Sequence, residues 1–283
     1  MSVIHHCSYE DALLLYDHAT NDAPAPSQYA PHAHSRYELI FFRRGDASYT
    51  VDGRRYKLSR GQLILSRPFA VHEIGIESGA PYERYDILFD LSMLPGDVLA
   101  GIPAETDVLR FDGHPTVPAI FEKMDYYCGR LSGASCGRTL AHLVEEVLVN
   151  AAIEAQSGAC PALGQSHPMV AAAVAYIEQE LTTLTGIDEL CRALFITNSY
   201  LHRLFMQYLH VSPKKFITAK RLAMAQREIC AGGKPTEVCF RCGFRDYSAF
   251  WRAYTAFFGC KPSDRSVPGH ASVSEDTSPR YTP

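Results

Sequence analysis

The chain has 283 residues with 27 Lys and Arg, 31 Asp and Glu and nine Cys, a formal net charge of −4. That length suffices for two domains with cores of their own, and no apolar run is long enough to span a membrane. Scattered cysteines in odd number exclude a secreted disulfide framework, and the first residues lack a basic-then-apolar leader, so a cytoplasmic protein is expected.

Residues 1–112 read as a β-domain. Residues 37–42 are rich in aromatic and β-branched side chains, residues 47–51 alternate, and Asp52-Gly53 is a hairpin-turn signal ahead of residues 54–58. Further short strands are expected at 62–66, 71–75 and 82–89, with proline and glycine closing the region near 95–103. Regular short strands separated by turns predict a small antiparallel barrel or jelly roll. Pro24, Pro26 and Pro31 mark residues 22–36 as an extended arm that could fold over a ligand.

Residues 113–156 carry two helical stretches, 116–130 and 138–156. The second lines up Leu140, Leu143, Val144, Val147, Leu148 and Ala151 on one face, for the β-domain or for a second subunit. Residues 157–168 are rich in helix breakers and read as a linker, and residues 266–283 as a disordered tail.

Residues 169–265 hold two short helical units of one design. In the first, Leu201, Leu204, Phe205 and Tyr208 recur at helix spacing and leave Ser199, His202 and Arg203 on the other face. In the second, Tyr247, Phe250, Tyr254 and Phe257 form the apolar stripe, with Ser248, Trp251 and Arg252 turned away. Ser212-Pro213 starts, and Gly232-Gly233 stops, a joining helix about 28 Å long at about 1.5 Å per residue. Successive major-groove faces of B-DNA lie about 34 Å apart, so one chain could present two readers to one side of a duplex.

The run from Tyr176 to Arg265 resembles the DNA-binding domain of the AraC-type transcription regulators. The resemblance rests on residues 199–205 (SYLHRLF), 211–217 (VSPKKFI), Arg221-Leu222 with Ala225, 242–254 (CGFRDYSAFWRAY), and Phe258-Gly259 with Lys261-Pro262. It implies a double helix-turn-helix that binds double-stranded DNA through Ser199, His202 and Arg203 and through Ser248, Trp251 and Arg252. Gly186 stands where the family usually caps with Ser or Thr, and Trp251 is large for a groove-facing position. The resemblance also implies a homodimer, a small-molecule effector in the N-terminal domain, with sugars leading, and RNA polymerase as a partner if the chain is an activator.

In the β-domain, His32, His34 and Glu38 followed by His72 resemble the two motifs of the cupin barrel. The fold class expected is therefore α+β: a cupin-like antiparallel barrel followed by an all-α double helix-turn-helix. His32, His34, Arg36, Tyr37, Glu38 and His72 are the expected effector-pocket residues. No cofactor is expected; the alternative is a divalent transition metal on His32, His34, Glu38 and His72, a donor set suited to iron, nickel, zinc or manganese. Cys239 and Cys242 form a C-x-x-C read as packing.

Charge divides the chain the same way. Residues 1–166 carry 13 Lys and Arg against 21 Asp and Glu, whereas residues 167–265 carry 13 against 8. A basic module on an acidic one suits a DNA reader attached to a sensor. No catalytic triad, phosphate-binding glycine loop or carboxylate pair stands out, and an enzyme is not expected. Two alternatives to a ligand-responsive regulator stand: a metal-dependent cupin enzyme, or a constitutive DNA-binding protein with an inert barrel.

Overall fold

The computed structural model describes residues 3–29, 31–34, 36–157, 167–209, 211–230 and 232–264. The expected tail, and residues 158–166 of the expected linker, lie outside the described residues.

The N-terminal half folds into two antiparallel sheets. Six strands, β1 (Val3–Glu10), β2 (Leu14–Asn21), β3 (Tyr37–Arg44), β6 (Gln62–Ser66), β8 (Tyr82–Phe89) and β9 (Val108–Arg110), pair in the order β1-β2-β8-β3-β6-β9. The remaining three, β4 (Ala47–Val51), β5 (Arg54–Lys57) and β7 (His72–Ile76), pair as β5-β4-β7. Strands β1, β2 and β9 were not expected. Because β1 and β2 come first, residues 22–36 connect β2 to β3 instead of forming a free arm. Gln28 Oε1 secures that connection by accepting from Asn21 Nδ2 at 2.7 Å and from the Ala25 amide at 2.8 Å.

Alternation along the large sheet separates two cores. Tyr16, Leu39, Phe41, Leu63, Leu65, Tyr85, Ile87 and Phe89 pack against helices α1 (Val117–Cys128) and α2 (Gly133–Gln156). Ile40, Phe42, Ile64, Tyr82 and Val108 face Tyr49, Val51, Tyr56 and Ile74 of the small sheet. The apolar face of α2 from Leu140 to Ala151 is buried within this chain. It therefore cannot serve as the subunit contact; the large apolar side chains that α2 leaves exposed are Val149 and Ile153.

The C-terminal half is helical: α3 (Pro168–Gln179), α4 (Ile187–Ala193), α5 (Asn198–Tyr208), α6 (Pro213–Cys230), α7 (Pro235–Arg241) and α8 (Tyr247–Phe258). It has two cores that share α6. Phe216 and Ile217 join Leu190, Leu201 and Phe205 of the first unit, while Leu222, Ala225 and Ile229 join Val238, Phe250 and Tyr254 of the second. The second stripe is rotated slightly from expectation, since Phe258 is buried and Phe257 only half-buried. Cys239 and Cys242 are wholly buried in this core. Among the described residues no helix is long and apolar enough to cross a membrane.

Among the described residues the β-domain docks on the helical domain through apolar side chains and an ion pair. Ala33 and Val71 enter the first core, Phe69 enters the second with its ring 5.7 Å from Phe258, and Asp52 accepts from Lys220 Nζ of α6 at 2.6 Å. Glu178 of α3 lies 3.3 Å from the same ammonium. Asp52 and Gly53 both have positive φ, 43° and 80°, as a tight hairpin turn requires. A Cβ on Gly53 would lie 2.8 Å from Val170, so the absent side chain is what lets the turn seat.

The tight turns inside the two helical units differ in one residue type. Gly243 supplies the left-handed position of the second (φ +81°), whereas Phe195 occupies that of the first at φ 54° and is 95% exposed. Left-handed backbone costs a non-glycine residue about 1–2 kcal/mol, partly offset in a Gly variant by about 0.5–1 kcal/mol of added unfolded-state entropy. Phe195→Gly is expected to stabilise the chain by about 0.5–1 kcal/mol on that balance, read as a higher denaturant midpoint at unchanged m-value. A lower midpoint would contradict the strain account.

Candidate ligand site and DNA-reading surface

Four of the expected pocket residues converge. One ligand atom from each of His32, His34, Glu38 and His72 lies within 4.8 Å of all the others, and all but the half-buried His32 are buried. Glu38 points inward from β3, His72 opens β7, and His32 is held beside it because the two residues exchange backbone hydrogen bonds of 3.0 and 2.9 Å. The imidazole rings stand 4.4 Å (His32 to His72) and 4.9 Å (His34 to His72) apart.

The hydrogen bonds around the cluster orient these rings. His34 Nδ1 lies 2.9 Å from the Arg36 carbonyl and His72 Nδ1 2.8 Å from the Ala70 carbonyl. A carbonyl oxygen only accepts, so each Nδ1 carries a proton and each Nε2 is turned towards the carboxylate. His72 Nε2 is 3.0 Å, and His34 Nε2 3.7 Å, from Glu38 Oε2. That oxygen also accepts from Ser66 Oγ at 3.0 Å, and Ser66 in turn is 2.8 Å from the Tyr49 hydroxyl. Burial opposes the Glu38 charge, yet the His72 and His34 imidazoles and their hydrogen bonds hold its carboxyl well below the usual range. The same carboxylate raises His72 against its own burial.

Two expected pocket residues lie elsewhere. Tyr37 precedes Glu38 on β3 and so faces the opposite side, where its ring stacks on Phe89 at 5.5 Å. Arg36 sends its guanidinium to the Ala12 carbonyl at 2.9 Å and gives the cluster only its own carbonyl. A polar group not anticipated lines the interior beyond Glu38. Arg84 Nη2 lies 3.1 Å from Asp86 Oδ2, and its guanidinium sits 5.1 Å over Tyr29 and 5.4 Å over Tyr82. Burial, with the Glu38 charge nearby, raises the Asp86 carboxyl to about 7. The period-two spacing of Tyr82, Arg84 and Asp86 on one strand was the available signal.

The second surface is on the helical domain. Thr197 caps α5 by accepting from the Tyr200 amide at 3.2 Å, and Asp246 caps α8 by accepting from the amides of Ser248 and Ala249. Both caps fix where the exposed faces begin. Ser199, His202, Arg203, Ser248, Trp251 and Arg252 are all exposed, and Trp251, at 38%, stands outside the core. Between them α6 spans 18 residues, about 27 Å at about 1.5 Å per residue. Arg221 braces the junction through the carbonyls of Leu181 (2.8 Å) and Leu184 (2.6 Å).

Both halves of the chain match known protein families. Residues 17–124 match the AraC-like ligand binding domain family, and residues 190–265 match a helix-turn-helix domain family. The chain is 34% identical over 123 residues to the HTH-type transcriptional regulator ArgR of Pseudomonas aeruginosa, covering 43% of this chain and 36% of that one. It is 30% identical over 140 residues to the HTH-type transcriptional regulator GbdR of the same species, covering 47% and 38%. Against the HTH-type transcriptional activator RhaS of Yersinia pestis it is 21% identical over 252 residues, covering 86% and 91%. The matched segment thus spans little more than a third of the first two relatives.

Ser66 links the buried carboxylate to Tyr49, so Ser66→Ala leaves a buried oxygen short of a donor. The expected loss is about 1–3 kcal/mol of stability, measured by denaturant unfolding. An unchanged midpoint would mean that the Glu38 charge does not depend on this donor.

Proposed function

We propose that this chain, an AraC-type regulator by its two matched domains, is a cytoplasmic transcription regulator that binds specific double-stranded DNA and responds to a small ligand taken into the β-domain. The observation that carries the reading is the pair of capped helices whose polar faces stay exposed while α6 joins their cores into one body. Arg203 and Arg252 are the strongest base or phosphate readers, because a guanidinium can grip guanine through two donors at once. Ser199, His202, Ser248 and Trp251 complete the two contact faces.

The β-domain is the sensing half in this reading. Its interior offers the imidazole and carboxylate cluster and the Arg84–Asp86 pair, groups suited to a sugar, another small polar metabolite or an ion. Since a ligand moves an equilibrium only by its differential affinity, bound and free β-domains must dock differently on the helices. A homodimer would add a second pair of readers, and RNA polymerase would be a partner if the output is activation. Residues 167–265 are net basic and would contact phosphates through Lys and Arg, so DNA affinity is expected to fall as salt rises.

Selection of bound sequences from random duplex by the intact chain tests the reading. Two blocks about one helical turn apart are expected, with Arg203→Ala blurring one and Arg252→Ala the other, each at a cost of about 1–3 kcal/mol. If no sequence is enriched, with or without added metabolites and metals, the chain is not a sequence-specific regulator.

A further inference from the structure

We propose that the His32–His34–Glu38–His72 cluster takes a divalent transition-metal ion, and that the DNA-reading domain senses its occupancy through the residues interleaved with the ligands. This rests on the regulator reading above and assigns it a ligand. Iron(II), nickel, zinc and manganese are the ions that three imidazoles and one carboxylate suit.

Both Nδ1 atoms donate to backbone carbonyls, so His34 Nε2 and His72 Nε2 are the ring atoms that face the buried carboxylate. An ion bound here would displace the proton held between imidazole and carboxylate and be ligated by the same ring nitrogens and the Glu38 oxygen. Imidazoles whose other nitrogen donates to a carbonyl, and a carboxylate held by Ser66, are the outer hydrogen bonds that orient metal ligands. A small cleft at the domain boundary, lined by Pro31, Thr50, Val71, His72, Glu73 and Leu209, reaches one of the four residues.

Ala33 sits between His32 and His34, is fully buried, and belongs to the core of the first helical unit together with Val71, the neighbour of His72. Phe69, whose amide donates to the His34 carbonyl at 2.8 Å, belongs to the core of the second unit. Its backbone is left-handed at φ 68°, a conformation a phenylalanine keeps only when its surroundings hold it there. The link to α6 runs through Val71 as well: its carbonyl accepts from the Asp52 amide at 2.9 Å, and Asp52 holds Lys220. Close-packed cores do not absorb small displacements, so drawing His34 and His72 onto an ion shifts the seating of both DNA-reading units.

The test uses the full-length chain stripped with chelator and given manganese(II), iron(II), nickel(II) or zinc(II) separately. Bound metal per chain is measured by mass spectrometry, and affinity for the selected duplex by fluorescence anisotropy. One equivalent of at least one ion is expected, absent in His34→Ala, with a raised melting temperature. Metal should change the duplex dissociation constant at least about five-fold, and duplex should change metal affinity by the same factor. Phe69→Ala, or Phe69→Leu should the first not fold, is expected to keep the metal and lose most of the change in DNA affinity. Metal at or below the His34→Ala level for all four ions overturns the site. Stoichiometric metal with an unmoved duplex affinity, or a shift that survives undiminished in the Phe69 variants, overturns the coupling. A chain that binds metal but selects no duplex fails the regulator reading instead, and the metal measurement separates these cases.

Discussion

A carboxylate removed from water has to be compensated within hydrogen-bond reach, and Glu38 meets that requirement with side chains delivered from three other places in the chain. His34 comes from the connection before β3, Ser66 from β6 and His72 from β7. Those three can meet only if β3 keeps its register, because a slip of one residue would bring Leu39 into the cluster and push the charge beneath α1. Register of the large sheet, closure of the small sheet over it and the path of residues 67–72 are therefore bound to one buried charge.

The same path explains how two halves of opposite charge balance stay together. Acidic residues dominate the first half and basic residues the second, yet the boundary among the described residues is mainly apolar, with Ala33, Phe69 and Val71 inserted among helices and a part-buried ion pair at Asp52 and Lys220. Apolar insertion supplies the attraction. The pair supplies orientation, since an unpartnered Asp52 or Lys220 at that depth would be costly.

Much of this was legible in the sequence where hydrophobic period and turn chemistry agree. Strands at 47–51, 62–66 and 82–89 coincide with their expected bounds, and Asp52-Gly53 makes the turn its residues require. Strand β1 escaped because VIHHCSYE lies at the edge of the sheet, mostly exposed, with little apolar alternation, and β9 because it has three residues. Tyr37 was misassigned by parity, since the residue beside an inward Glu38 points outward, and Arg36 because it precedes β3 and its guanidinium goes to the Ala12 carbonyl. Phe257 and Phe258 differ by one helical step, which periodicity alone does not resolve. The dock was illegible for a different reason, since Asp52 and Lys220 are 168 residues apart and each reads locally as a turn residue and a surface lysine.

Helix α6 donates Phe216 and Ile217 to one core and Leu222, Ala225 and Ile229 to the other. Neither helix-turn-helix unit has a complete interior of its own, so the pair melts as one cooperative block and the duplicated design does not give two separable modules. Cutting the chain after α6 would strand an apolar face with nothing to cover it; cutting before would leave the second unit without its floor. The spacing between the two readers is thus protected by the folding reaction itself, because any molecule in which α6 has frayed has also lost the readers it was meant to space.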